Sequence, residues 1–424
     1  MNPIMLGPVP VDFILFGLTL AGVAVFHKHT LRVALTGLAV ILVYKFAFTG
    51  FRYGPGLEGF AGVLAHEWVI LANLLLLLLG FALLSRHFEE SHVPLELPAI
   101  LPDDWKGGFM LLWMVFVLSS FLDNIAAAII GGTMARVVFR GKVHIGYLAA
   151  IVGASNAGGS GSVVGDTTTT MMWIDGVNPL NVLDAYIAAG TATLFMAYFA
   201  AKQQHAYSPI MKDTPRGTRV DWTRVGIVAA ILVTAIAANV IANVEFPELL
   251  DRAPVIGLAV WLAIIATSGL RKPEWSLLPD AFRGTIFLLS LVMAASLMPV
   301  ERLPGASWPT TFGLGFLSSV FDNIPLTALA LKQGGYDWGM LAYAVGFGGS
   351  MIWFGSSAGV ALSNTFPVAR SVAAWVRHGW HVIAGYVIGF FVLLAVLGWE
   401  PQEKRGHPIP AAPAIEAPSP APVR

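Results

Sequence analysis

Long stretches without a single charged residue constrain this chain more than any other feature. Asp, Glu, Lys and Arg are absent from residues 68–85, 225–244, 253–270, 284–300 and 338–369. Apolar runs of about 18 residues are long enough to cross a bilayer as helices. Charged residues make up 12% of the 424 residues and hydrophobic residues 56%, whereas about 25% charged is usual in soluble domains. We therefore predict an all-α polytopic membrane protein with roughly 10 to 13 spans.

The composition also excludes several classes of protein. The 25 basic residues equal the 25 acidic ones, so the net basic footprint needed for nucleic acid is missing. The chain has no cysteine, which rules out disulfides, iron–sulfur clusters, thiolate zinc sites and thiol catalysis. Residues 1–10 lack the basic start of a cleavable signal, so 11–26 is expected to be the first span. We expect a multi-pass protein of a cell membrane, in a bacterium the inner one.

A polar break divides the apolar segments into two halves. We predict a first repeat at 1–201, a cytoplasmic linker at 202–224, a second repeat at 225–399 and a disordered Pro/Ala-rich tail at 400–424. The linker is basic, and Lys and Arg near helix ends are retained on the cytoplasmic side.

The charge of the other loops gives the two halves opposite orientations. Segments 27–32 and 271–283 are basic, whereas 245–252 is mainly acidic. The first half is therefore expected to begin outside and the second inside. Four apolar segments precede residue 123 in the first half and four precede residue 322 in the second, so the order of elements is the same and the topology is inverted.

Two sequence motifs recur in the same order in both halves. Residues 119–125, SSFLDNI, match 318–324, SSVFDNI, at five of seven positions. Residues 158–167, GGSGSVVGDT, align with 348–357, GGSMIWFGSS, and keep the paired glycines, the serine and the later glycine in register. We predict two inverted-topology repeats with broken helices and re-entrant hairpins, an architecture typical of secondary transporters.

Three aspartates fall at these predicted breaks: Asp123, Asp166 and Asp322. An unpaired Asp at the centre of a membrane helix costs about 2.5–3.5 kcal/mol, so the three together would cost roughly 8–10 kcal/mol. In one interpretation they are local caps of the resumed helices. In the other, which we favour, each carboxylate and the carbonyls of the unwound backbone bind sodium, lithium or a proton.

Residues 156–170 combine glycines with hydroxyl side chains next to Asp166. The segment is not a phosphate-binding loop, because the lysine of that pattern is absent. Its glycines also suit close helix packing in lipid. The second half has Ser356 where the first has Asp166, so we expect an asymmetric site.

The motifs of both halves resemble those of NhaD-type sodium/proton antiporters, in the ion transporter superfamily and the wider citrate-transporter-like group. The resemblance covers roughly residues 60–398 and rests on FLDN at 121–124, NAGG at 156–159, GDTTTTMMW at 165–173, DNIP at 322–325, and GGS with GSSAGV at 348–360. It implies a scaffold part and a mobile transport part, a homodimer, and no cofactor besides the transported Na⁺ or H⁺. The implied site residues are Asp123, Asn124, Asn156, Asp166, Thr167, Asp322, Asn323, Ser356 and Ser357, with sodium held by the three aspartates.

One departure from the family pattern concerns the third apolar segment. NhaD-type proteins typically carry an acidic residue at its end, whereas here 74–84 is followed by Ser85, Arg86 and His87. Glu67, earlier in the segment, is either a replacement or an interfacial residue.

Several functions remain open on the sequence alone. We favour a Na⁺ or Li⁺/proton antiporter. The alternative is a sodium- or proton-coupled citrate or dicarboxylate carrier, for which Ser363-Asn364-Thr365 gives one small match. An intramembrane enzyme lacks a catalytic pair at suitable spacing, and a passive channel does not need paired charged breaks. We expect partners to be the bilayer, a small cation, protons and in the alternative a carboxylate.

Overall fold

A computed structural model describes residues 4–26, 29–96, 101–211, 219–250 and 252–403, and these are mainly helical. The first half contains a short hairpin of β1 (Met5–Leu6) and β2 (Val9–Pro10), followed by helices α1 (Val11–Val25), α2 (Thr30–Tyr44), a π-helix (Lys45–Thr49), α3 (Gly56–Glu90), α4 (Val93–Glu96), α5 (Trp105–Ser119), α6 (Asn124–Val138), α7 (Ile145–Ser160), α8 (Thr167–Ile174), α9 (Pro179–Leu183) and α10 (Ala185–Tyr207).

The second half also alternates long and interrupted helices. It contains α11 (Trp222–Glu245), α12 (Pro247–Leu250), α13 (Val255–Thr267), a 3₁₀ turn (Trp275–Leu277), α14 (Leu278–Ser296), a 3₁₀ turn (Val300–Arg302), α15 (Trp308–Ser318), α16 (Asn323–Gln333), α17 (Trp338–Gly348), α18 (Ser357–Thr365), a 3₁₀ turn (Pro367–Arg370), α19 (Val372–His378) and α20 (Trp380–Leu397). The centre of the predicted linker, 212–218, and the tail from 404 lie outside the described residues.

Six helical segments of the described chain are long and apolar enough to cross a membrane: Thr30–Thr49, Gly56–Glu90, Pro179–Tyr207, Trp222–Ala242, Trp275–Ser296 and Trp380–Leu397. Four shorter apolar helices accompany them: Val11–Val23, Trp105–Ser119, Asn124–Val138 and Val255–Thr267. The prediction of an all-α polytopic membrane protein is confirmed. The inverted relation of the two halves stays a prediction.

Two predicted segments have different bounds in the structure. The third apolar segment, whose run 74–84 was expected to end before Ser85, belongs to α3, which has 35 residues and continues to Glu90. The extension is supported by ion pairs from Arg86 to Glu89 and Glu90, at helical spacings of three and four residues. Helix α10 likewise continues to Tyr207, into the segment that we predicted as linker.

Ion pairs place the predicted linker and the basic segment 271–283 at the C-terminal end of α3. Arg224 contacts Glu90 at 2.7 Å, and Arg271 contacts Asp221 at 2.8 Å. The Arg86 guanidinium holds the pKa of Glu274 below its usual range. Because a lowered carboxyl pKa stabilises the fold at neutral pH and that contribution is lost on acidification, the Arg86–Glu274 pair supports this end of α3 at neutral pH.

The interrupted helices α7 and α17 form the centre of the structure. Every residue of both helices is buried, and the two helices contact each other. Glycines allow their neighbours to approach closely: a Cβ at Gly158 would overlap the Phe116 carbonyl of α5, and one at Gly348 would overlap the Gly315 carbonyl of α15. The aligned glycines therefore serve the same backbone contact in both halves.

We predict that Gly158→Ala destabilises the folded protein by about 1–3 kcal/mol, because the methyl group would force α5 and α7 apart. The matched control is Gly190→Ala on α10, where a Cβ would meet no atom within 4 Å. Thermal unfolding of the purified variants in detergent measures the difference. Equal melting temperatures for Gly158→Ala and the wild type would contradict the close contact.

Candidate ion-binding site

Helices α6 and α16 both begin at an aspartate that caps them. Asp123 accepts a hydrogen bond from the Ile125 N–H at 3.2 Å, and Asp322 accepts one from the Ile324 N–H at 3.0 Å. Both aspartates have φ −52° and ψ 140°. The two hairpin breaks thus have the same local geometry. One oxygen of each carboxylate caps a helix, as the cap interpretation predicts.

The breaks that precede α8 and α18 are capped by different side chains. Asp166 Oδ1 accepts from the Thr168 N–H at 3.2 Å, whereas Ser356 Oγ accepts from the Gly359 N–H at 3.3 Å. Asp166 is only 3% exposed, and its Oδ2 has no hydrogen-bond partner within the described residues. The predicted asymmetry is therefore visible in the caps.

Threonines of α8 fasten the loop that precedes it. Thr169 donates to the carbonyls of Ser162 at 2.6 Å and Asp166 at 2.9 Å. Thr170 donates to the Val163 carbonyl and also to that of Asp166, both at 2.9 Å. The bonds to the Ser162 and Val163 carbonyls tie this loop to the first turn of α8, directly after Asp166.

An asparagine bridge connects the two halves. Asn124 Nδ2 donates to Asn156 Oδ1 at 3.1 Å. Asn156 Nδ2 in turn donates to Ser350 Oγ at 2.9 Å and to Ser356 Oγ at 3.1 Å. The hairpin tip of the first half is thereby joined, through α7, to the break of the second half.

The second hairpin tip lies beside a cavity. Ser357 Oγ contacts Asp322 Oδ2 at 3.4 Å. Both residues line a cavity of about 280 Å³ that also touches Thr30 of α2 and Phe287 of α14. Asp322 is thus accessible to a small solute from a space between the interrupted helices and the long ones.

The charge of Asp166 also interacts with the charges of Asp123 and Asp322. Like charges in a buried site repel one another, so uptake of a proton or a cation by one carboxylate is favoured when the others are ionised. The described residues contain no cluster of three or more His, Asp or Glu side chains suited to a resident metal. The available donors are single carboxylates with hydroxyl, amide and carbonyl oxygens, which suit hard cations.

The structure places all nine predicted site residues at helix breaks or on α7. Thr167 and Asn323 are the first residues of α8 and α16, and both are buried. Our sequence reasoning missed Ser350 as a partner of Asn156. Its signal was present, because Ser350 is the serine of the second GGS motif.

Glu67 lines a different cavity from the one beside Asp322. It is half-buried on α3 and lines a cavity of about 80 Å³ together with Arg52, Asp175 and Lys332. The cavity that Glu67 lines is therefore bordered by α8 and α16. The role of Glu67 as a replacement carboxylate stays a prediction.

Carboxylates at the N-termini of interrupted helices, in a multi-pass helical protein, are typical of secondary transporters. No family model matches the chain. The curated "Sodium/proton antiporter 1" of Arabidopsis thaliana is 25% identical over 436 aligned residues, which cover 90% of this chain and 72% of that protein.

Bacterial proteins give similar values. "Na(+)/H(+) antiporter NhaD" of Vibrio cholerae is 26% identical over 66% of this chain and 68% of its own length. The protein of the same name from Vibrio parahaemolyticus is 25% identical, over 70% and 84%. The resemblance to NhaD-type antiporters is thereby confirmed.

We predict that Asn156→Ala lowers the free energy of unfolding by about 1–3 kcal/mol, because Asn124, Ser350 and Ser356 would lose a buried partner. Ser290→Ala on α14 is the matched control, since within the described residues the Ser290 hydroxyl bonds only the Ile286 carbonyl of its own helix. Denaturant titration in detergent compares the two variants. A loss no greater than that of Ser290→Ala would show that the bridge contributes little.

Proposed function

We propose that this chain is a secondary active transporter that exchanges Na⁺ or Li⁺ for protons by alternating access. The observation that carries the proposal is the Asp166 carboxylate, which is buried and has one oxygen without a hydrogen-bond partner among the described residues. The similarity to proteins named sodium/proton antiporters supports the same conclusion.

Competition for these carboxylates accounts for exchange. A carboxylate that binds a cation must be ionised, so the arrival of Na⁺ favours release of a proton, and protonation favours release of Na⁺. Each aspartate lies at a helix N-terminus, where the backbone N–H groups stabilise its ionised form. The site can therefore alternate between a charged, cation-binding form and a protonated form.

Helix packing supports a division into two parts. Helices α3, α11, α13 and α14 pack on one another, whereas α5, α7, α10, α17 and α20 form a second group. We assign the first group to a scaffold and the second, with its broken helices, to the moving transport part. The homodimer stays a prediction.

The carboxylate-carrier alternative is less well supported by the site. Among the described residues, the hydrogen-bond partners of the three aspartates and of Asn156 are amides, hydroxyls and backbone groups, not Lys or Arg. Arg136 is exposed in the last turn of α6, roughly 20 Å along the helix from Asp123. Ser363 donates to Val360 within α18. An anion would thus rely on helix N-termini and bound cations.

We also assign no enzymatic reaction to the site. The curated relatives are named as transporters. The chemistry proposed here is reversible binding of a proton or a cation.

We predict that Na⁺ or Li⁺ dissipates a preformed pH gradient in everted vesicles that contain this protein, as followed by quenching of a pH-sensitive dye. Asp123→Asn, Asp166→Asn and Asp322→Asn should each reduce exchange to background, because an amide cannot release a proton. Asp280→Asn, which changes an exposed carboxylate at the start of α14, should exchange like the wild type. A gradient that survives both ions in vesicles with folded protein would refute the antiport proposal.

Proteoliposomes separate antiport from carboxylate transport. We predict that labelled citrate and succinate do not accumulate in response to a sodium or proton gradient, whereas ²²Na⁺ accumulates in response to an outward proton gradient. Liposomes without protein give the background. Accumulation of either carboxylate above it would favour the alternative function.

A further inference from the structure

The two halves differ where α7 crosses α17. The alignment of the GGS motifs pairs Asn156 with Gly346, Ser160 with Ser350, and Asp166 with Ser356. Asn156 donates hydrogen bonds to Ser350 and Ser356 of the second half. Gly346 faces the corresponding residues of the first half: a Cβ there would lie 3.3 Å from Ser160 Cβ and 3.5 Å from Asp166 Oδ2. The same arrangement therefore occurs twice, once with an amide side chain at its centre and once with none.

Among the described residues, two buried atoms without a hydrogen-bond partner belong to the counterparts of residues that bond Asn156. They are Asp166 Oδ2 and Asn323 Nδ2, and both residues are 3% exposed. Asn323 is the counterpart of Asn124, whose amide donates to Asn156. Because the counterpart of Asn156 is Gly346, the Asn323 amide lacks the equivalent partner. Buried polar groups of this kind need a partner.

Backbone geometry does not account for the glycine. Gly346 lies inside α17, where glycine is unfavourable relative to alanine. Its φ is not in the left-handed region, and the atoms nearest to an added Cβ belong to Ser160 and Asp166 at 3.3–3.8 Å. Gly158 and Gly348, by contrast, face a carbonyl that a Cβ would overlap. Close contact with a backbone carbonyl thus explains those two glycines, whereas Gly346 faces the side chains of Ser160 and Asp166.

We propose that Gly346 determines the position of a single alkali-cation subsite in the second half of the pair. Na⁺ or Li⁺ binds beside Gly346, held by Asp166 Oδ2 and by the Asn323 amide, which presents its oxygen after a flip. Ser160 borders the same position through its Cα and Cβ atoms. The Asn156 side chain fills the equivalent place in the first half, so each protomer binds one cation. This inference rests on the proposed antiport.

The first test is Gly346→Ala. The added methyl fits with a small adjustment but stands against Asp166 Oδ2, so the Na⁺ concentration for half-maximal exchange should rise about tenfold. The value for Li⁺ should rise less, because the smaller ion needs less room. Gly313→Ala on α15, where a Cβ meets nothing within 4 Å, is the matched control. Equal Na⁺ dependence in Gly346→Ala, Gly313→Ala and wild type would overturn the proposal while leaving antiport intact.

The second test does not depend on a variant. Equilibrium binding of ²²Na⁺ to the purified wild-type protein in detergent should saturate at one ion per protomer. Two ions per protomer would refute the single subsite even if exchange is normal. If the wild type neither exchanges nor binds Na⁺ or Li⁺, the proposed function itself fails, and the subsite with it.

Discussion

A helix that breaks inside a bilayer must satisfy its own backbone groups, and the rest of this structure depends on how it does so. Each of the four breaks is capped by the side chain directly before the resumed helix: Asp123, Asp166, Asp322 and Ser356. A carboxylate has two oxygens, and one suffices for the cap. The remaining oxygen of an aspartate is then available for a proton or a cation. Capping and ion binding are therefore complementary uses of one side chain.

The hydrogen bonds around the breaks connect both halves into one unit. Asn156 joins α7 to Ser350 and Ser356 of the second half, and the threonines of α8 hold the loop before it. Ser119 and Ser318, at equivalent positions, each donate to a carbonyl of the next interrupted helix, those of Ser155 and Val345. In the proposed cycle, movement is thus expected between this unit and α3 or α14 rather than within it.

The sequence was sufficient for the membrane class and for the location of the breaks. Both follow from local signals, because charge-free runs require burial in lipid and an Asp-Asn pair inside such a run requires a local solution. It was insufficient for the end of α3, since Arg86, Glu90 and Arg224 become partners only when distant segments meet. The role of Ser350 was missed for the same reason: its partner Asn156 is 194 residues away.

The differences between the halves are consistent with each other. Asn156 of the first half faces the short, neutral Ser356 of the second half. Gly346 of the second half faces the longer, charged Asp166 of the first half. An additional carboxylate in place of Ser356 would require its own counter-ion in a buried site. A neutral amide and hydroxyl satisfy each other and need none. The buried charge of Asp166 thus faces a glycine rather than a polar side chain, and in the proposed cycle this is where an ion replaces a proton.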